Sequence, residues 1–323
     1  MKKNILSLII LAFFLSGCFS IYITPFEARP RPASEQVIEK ATGWFVKDKI
    51  ALLDIEGPIG FGGCKPQSVC VVGMLDIVDK IKKDPDIKAI IINVNSNGGE
   101  ITVTDIIYQA LKKLKEEKKV PVYAFVERGA YSGGYYIAMS ADEIYSLPTS
   151  FVGSIGVIWV SFEIKSTLDK IGIEPVVIKS VEKKDIGSPF RDMTPEERKL
   201  IQTEIDVLHT RFASIVKERR PKINKDKISE IANGLHFGAS DALKIGLIDG
   251  ILYYDEFMNM VKNKIGVTDI NIVRYSLFNQ PINSYYSPGL SSFGLTSENL
   301  QNELTNMFNK IFYNTSGFYY LGW

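Results

Sequence analysis

Between residues 50 and 140 the chain switches repeatedly between two spacings of apolar residues. Ile50-Ala-Leu-Leu-Asp-Ile55 is a short apolar run closed by Gly57-Pro58. Met74, Leu75, Ile77, Val78 and Ile81 then recur at helical spacing, and the stripe stops at Asp84-Pro85. Ile87 to Val94 is almost continuously apolar and β-branched, as expected of a strand covered on both faces. Asn95-Ser-Asn-Gly-Gly99 breaks it, and Ile106, Ile107, Ala110, Leu111 and Leu114 open a second helical stripe. Val120 to Val126 is the next predicted strand, followed by a glycine-containing turn and a helix over Tyr135 to Ser140. Strand and helix alternating at this interval predict right-handed crossovers and an α/β fold with a parallel-rich sheet.

Further on, the pattern turns helical. Val176 to Ile178 reads as a strand, and Thr194-Pro-Glu-Glu197 as a helix start with Thr as cap. Ile201, Ile205, Leu208, Phe212 and Ile215 mark one face of that helix, with His209 at its boundary. Beyond about residue 265 the chain is rich in Asn, Ser, Tyr and Phe, and the pattern assigns this tail no role.

The opening residues read differently. Lys2 and Lys3 precede the apolar run Ile5 to Leu15, which is too short for the roughly 20 residues of a bilayer span but suits an export signal. Leu15-Ser-Gly-Cys18 resembles the bacterial lipobox, which implies that Cys18 becomes a lipidated first residue. Pro25, Pro30 and Pro32 mark a tether, so the folded part is expected to begin near Trp44. The predicted organisation is a signal peptide over 1–17, lipidated cysteine and tether over 18–43, a domain over 44–265, and a tail over 266–323.

Charge removes one class of partner. Lys and Arg number 38 against 37 Asp and Glu, so there is no basic excess for nucleic acid. Cys64 and Cys70 lie too far from His209 and His236 in sequence to suggest zinc, and in an exported chain a local disulfide is the favoured reading. No motif calls for a metal or a cofactor.

Candidate chemistry lies in the turns. A predicted strand runs into Ala130-Tyr-Ser132-Gly133-Gly134, so Ser132 sits where a helix begins, among free backbone N–H groups. The Gly98-Gly99 turn follows the neighbouring strand, points to the same sheet edge, and offers N–H groups to an oxyanion. A serine nucleophile needs a base, and neither histidine sits in a turn at a strand end. A lysine serves if burial and hydrogen bonding keep it neutral.

Asn95-Ser-Asn-Gly-Gly, Ser132-Gly-Gly-Tyr-Tyr-Ile-Ala and Val152-Gly-Ser154-Ile-Gly-Val follow one another as in the signal peptide peptidase A (SppA) family. Lys184-Asp-Ile-Gly-Ser-Pro-Phe-Arg, the Thr194 helix start and Gly246-Leu-Ile-Asp249 continue the resemblance, which covers roughly residues 46 to 265. It implies a fold related to the Clp protease and crotonase, and a membrane-associated Ser/Lys-dyad serine endopeptidase acting on extended apolar peptides. Ser132 would be the nucleophile, Lys184 the general base and Ser154 the residue that orients it. Gly133, Gly98 and Gly99 would supply the oxyanion N–H groups. The resemblance also implies a homo-oligomer, and together with the lipobox a place in the bacterial cell envelope, facing the periplasm or the exterior. Asn97 stands where the family usually has Pro, and Lys183 adjoins the base. Two other readings are a catalytically inactive envelope scaffold of the same fold and, more distantly, a crotonase-like acyl-CoA enzyme.

Overall fold

The computed structural model describes residues 32–60, 62–65, 67–278 and 317–321. The expected signal peptide, Cys18 and most of the tether and tail lie outside the described residues. In chain order the strands begin with β1 (Ser34–Glu39), β2 (Lys49–Glu56), β3 (Ile59–Gly60), β4 (Val69–Cys70), β5 (Ile87–Ser96), β6 (Gly98–Glu100) and β7 (Val122–Tyr131). They continue with β8 (Glu143–Ser146), β9 (Phe151–Gly153), β10 (Ile158–Val160), β11 (His236–Gly238), β12 (Gly250–Ile251), β13 (Asn271–Ser276) and β14 (Gly317–Leu321). Helices α1 (Val71–Lys83), α2 (Ile101–Lys118), α3 (Gly133–Ala138) and α4 (Lys165–Lys170) serve the first half, with α5 (Pro195–Arg219), α6 (Ile228–Ile231), α7 (Ala239–Ile245) and α8 (Tyr254–Lys264) in the second.

The main sheet runs β1-β13-β2-β5-β7-β8-β12, with β9 paired to β7 and β11 to β9. The β13-β2-β5-β7-β8-β12 pairings are all parallel. The near-continuous apolar runs of β2, β5 and β7 follow from two-sided burial, because alternate side chains leave opposite faces. Ala51, Leu53, Ile90, Ile92 and Ala124 join the core shared with α1, α2 and α3. Ile50, Leu52, Ile91 and Phe125 meet Tyr254, Phe257 and Val261 of α8 on the other face. The smaller sheet runs β10-β14-β6-β3-β4.

Several helix limits follow their sequence signals. Thr194 Oγ1 accepts from the Glu197 N–H and Glu197 accepts from the Thr194 N–H, closing a capping box at the start of α5. The domain limits differ from expectation at both ends. β1 starts ten residues before Trp44, and β13, within the expected tail, is a core strand between β1 and β2. Arg274 hides the apolar pattern of β13, yet it is buried and pairs with Asp54 at 3.3 Å. Val176 to Ile178 forms no strand: among the described residues it pairs with no other strand, and its side chains are exposed.

Candidate active site

Ser132 directly follows β7 and caps α3 at φ +50°, ψ −113°. A non-glycine residue at positive φ costs on the order of 1–3 kcal/mol and persists where its surroundings fix it. Here they do. The Ser132 N–H donates to the Gly153 carbonyl at 2.7 Å, and the Ser132 carbonyl accepts from the Tyr136 N–H at 2.9 Å. The next helical turn is anchored by Tyr135, whose hydroxyl donates to the Leu247 carbonyl, and by Tyr136, which donates to Asp105. Ser132 is fully buried, and its Oγ has no hydrogen-bond partner among the described residues.

The two glycine turns meet. A methyl group on Gly133 would come within 2.8 Å of Thr104 Oγ1 and 3.3 Å of Gly99 N; one on Gly134 would press the Ser96 carbonyl at 2.8 Å. Gly99 is required by close approach, since a Cβ there would lie 1.9 Å from the Ile59 carbonyl oxygen. The N–H groups of the three glycines are not equivalent. That of Gly98 donates to Ser96 Oγ at 3.1 Å, while Ser96 Oγ donates to the Gly57 carbonyl. This takes up the Gly98 N–H, contrary to the expectation that it serves the oxyanion, because the Ser96 side chain folds back into its own turn.

Ser154 reaches the same place by strand pairing. β9 runs parallel to the end of β7 with Tyr131 opposite Gly153, and Ser154 is the next residue. It is buried at φ +51°, and its N–H donates to the Leu235 carbonyl at 2.8 Å. The same carbonyl-bearing turn, at Gly153, holds the Ser132 N–H.

The lysines behave differently. Lys184 lies in a one-turn 3-10 helix, Glu182–Asp185, and is exposed. Expectation had it withdrawn from water and bonded to the serine; instead Ser132 Oγ has no such partner. The reason lies in the segment leading to it. Ile171, Ile173, Val176, Ile178 and Val181 are all exposed, Ile178 to 95%, so among the described residues nothing covers this stretch or excludes water from Lys184. Lys183 pairs with Glu196 at 2.5 Å, and that hydrogen bond raises its pKa above the ordinary lysine value. The end of the turn is fixed by Arg191, which bonds Asp185 and Glu197 together. Arg191 holds both carboxyls below their usual range, Glu197 down to about 2.

One residue near the site escaped the sequence. His236 on β11 pairs with Gly153, and its ring meets Tyr131 and Phe151 edge-on. Only a non-local strand pairing brings it there, and it is exposed. Cys64 and Cys70 are joined in a disulfide with a Cα separation of 5.2 Å. A cleft of about 410 Å³ opens beside β10 and α5, lined by Trp159, Phe162, Arg191, Met193, Ile201 and Ile205 among others. Among the described residues no group of His, Cys, Asp and Glu side chains is arranged to hold a metal, and no helix is long and apolar enough to cross a membrane.

Comparison with known proteins gives the family of the chain. Residues 114–268 match the model of peptidase family S49. A candidate protease of Synechocystis is 36% identical over 203 residues, covering 63% of this chain and 69% of the relative. A candidate protease of Methanocaldococcus jannaschii is 33% identical over 203 residues, covering 63% of this chain and 64% of the relative. A candidate signal peptide peptidase SppA of Enterococcus faecium is 31% identical over 196 residues, 61% of this chain and 56% of the relative. The chain belongs to peptidase family S49. It spans a little under two thirds of the archaeal relative and just over half of the enterococcal one.

Proposed function

We propose that the chain is a serine endopeptidase that hydrolyses extended, apolar peptides with Ser132 as nucleophile and Lys184 as general base. The observation that carries this reading is Ser132 itself: a buried hydroxyl without a partner, held at positive φ beside the Gly98-Gly99 turn. Strain kept at a buried, unpaired serine hydroxyl is characteristic of a functional position. Lys184 takes the Ser132 proton as Oγ adds to the scissile carbonyl, and returns it to the leaving amine. Water then attacks the acyl ester, frees the carboxylate and restores the hydroxyl. Gly133 and Gly99 supply the oxyanion N–H groups, and Ser154 orients the lysine amine. Lys184 acts once its segment is covered, and the exposed apolar side chains from Ile171 to Val181 give a neighbouring copy the surface to cover it. A homo-oligomer therefore belongs to the reading, as does lipidation at Cys18 in the bacterial cell envelope.

A second reading, an inactive envelope scaffold, is favoured by the unclosed Ser132–Lys184 pair. Labelling the full chain with a fluorophosphonate, with mass-spectrometric location of the adduct, separates the two. The enzyme carries the adduct on Ser132; the scaffold carries none, and an adduct on another serine would remove Ser132 from its role.

A further inference from the structure

The turn between β1 and β2 holds two large aromatic side chains in solvent. Trp44 is 97% exposed and Phe45 95%. A single exposed apolar side chain is ordinary, but two adjacent rings at one tip each forgo burial of about 150–250 Å². The exposure is built into the turn. Asp269, just before β13, accepts from the N–H groups of Thr42 and Gly43 at 2.9 and 2.8 Å, and from Thr42 Oγ1 at 3.1 Å. Asn271 accepts from the Ala41 N–H at 3.1 Å and donates to the Val46 carbonyl at 2.9 Å. With both shoulders fastened in this way, the tip is held out from the domain.

Charge singles out what the rings would meet. The carboxylates beside the turn are engaged: Glu39 with Lys262 at 3.1 Å, Asp48 with Lys88 at 3.4 Å, and Asp269 with the turn itself. Lys40 and Lys47, on the two shoulders, are exposed and pair with no carboxylate among the described residues. The uncompensated charge at the tip is therefore positive. Aromatic rings flanked by lysines fit the headgroup level of an anionic bilayer, with the rings at the acyl boundary and the ammonium groups at the phosphates. A second copy in a symmetric contact would instead bring the same lysines against each other. The turn lies at the sheet edge where β2, β5 and β7 begin, whereas Ser132 follows the last residue of β7. A ten-residue strand such as β7 rises about 33 Å, so the two edges stand roughly 30 Å apart. Cys18 lies fourteen residues before the first described one, a reach of at most about 50 Å, so a lipid there can also lie at the level of Trp44.

We propose that the Trp44-Phe45 turn is a membrane contact, entering an anionic bilayer by about 5–10 Å with the Ser132 edge of the sheet facing away. The contact itself needs neither activity at Ser132 nor lipidation at Cys18. On the reading of Ser132 as nucleophile, it sets where substrate is met: roughly 30 Å from the bilayer, on chains that extend out of the membrane rather than on segments within it.

Tryptophan fluorescence tests it on the full chain in vesicles of phosphatidylcholine and phosphatidylglycerol, with and without bromine on the acyl chains. The chain has three tryptophans, so Trp159→Phe with Trp323→Phe leaves Trp44 alone. Trp44→Phe with Trp323→Phe leaves Trp159, on β10 in the sheet that holds the Gly98-Gly99 turn. Trp44 emission should shift to the blue and fall about twofold or more in brominated lipid, while Trp159 emission should not change. Lys40→Glu with Lys47→Glu, or vesicles of phosphatidylcholine alone, should weaken the quenching. Water-like Trp44 emission without quenching, or a chain that does not float with the vesicles, overturns the contact. A blue shift without quenching overturns it in favour of a protein partner, and quenching of Trp159 alone overturns the orientation. Quenching indifferent to both lysines and to phosphatidylglycerol overturns the anionic surface. The readout concerns the turn whichever segment brings the chain to the bilayer, and intact mass reports lipidation separately.

Discussion

The two residues of the proposed dyad sit in opposite kinds of surroundings. Ser132 is buried at a strand end, its backbone tied to β9 and to the first turn of α3, and its neighbour Gly133 packs on the Gly98-Gly99 turn. Lys184 stands exposed on a turn whose preceding segment displays apolar side chains to water. The parallel sheet assembles the surroundings of Ser132 from contacts within one chain, whereas Lys184 has a position in the chain but no such surroundings among the described residues. What separates them is water. A lysine acts as a base only when withdrawn from water, so the proposed role of Lys184 needs a covering that the described residues do not supply.

The largest test of this contrast is deletion of the two groups. Ser132→Ala and Lys184→Ala should each lower hydrolysis of a fluorogenic apolar peptide by several orders of magnitude, on the scale of about 10⁶ seen when a serine protease loses its base. Lys183→Ala, with its lysine already paired to Glu196, should cost less than roughly tenfold. A reversed ranking of the lysines would move the base from Lys184 to Lys183. Next comes the oxyanion side: Gly99→Ala forces a Cβ against the Ile59 carbonyl and should lower turnover by about 10²–10³, read against the melting temperature of the same protein. An active Gly99→Ala enzyme would show that the turn has no part in catalysis.

The exposed segment can be broken without touching the core. Ile178→Glu should leave the melting temperature of the single chain within a few degrees, since the side chain is 95% exposed. It should lower both the assembled mass by light scattering and the peptidase rate, the latter by about tenfold or more. Unchanged mass and rate would mean that nothing covers this surface.

The smallest effect concerns stability. Burial pushes the Asp249 carboxyl up, but hydrogen bonds from Arg220, the Ile144 N–H and Lys222 outweigh it and hold the pKa below the usual aspartate value. A carboxylate depressed in the folded state stabilises fully above its unfolded pKa, and that contribution fades as pH falls through the folded value. Urea unfolding should therefore show stability declining below about pH 4. Asp249→Ala, which strands the buried Arg220, should cost about 3 kcal/mol at pH 7 and remove that share of the acid slope. A slope unchanged by the substitution would mean that the pair does not carry it.

How much could be read from residues alone follows the same division. β2, β5, β7 and the stripes of α1, α2 and α5 are written in local periodicity, and so is the strand-to-helix turn of Ser132. The core strand β13 was concealed by Arg274, because a charge inside a strand reads as solvent-facing until Asp54 is found beside it. His236 and β14 depend on pairings between distant segments, which no local pattern encodes. The exposure of Lys184 was equally illegible, since a motif gives a residue's identity and not what lies above it. Asp249, part of the most C-terminal motif, proves to be an ion-pair anchor for Arg220 and the start of β8.

The Cys64–Cys70 bond has a consequence for when the Gly98-Gly99 turn becomes firm. It ends on β4, β4 pairs with β3, and the Ile59 carbonyl of β3 lies against Gly99. Closing so short a loop is worth about 2 kcal/mol in the chain-entropy model, and such bonds persist only in oxidising compartments. A newly made chain in reducing surroundings has this side of the turn unfastened. An oxidising compartment would fasten it, so the redox state of the surroundings would set how firmly β3 is held against the Gly98-Gly99 turn.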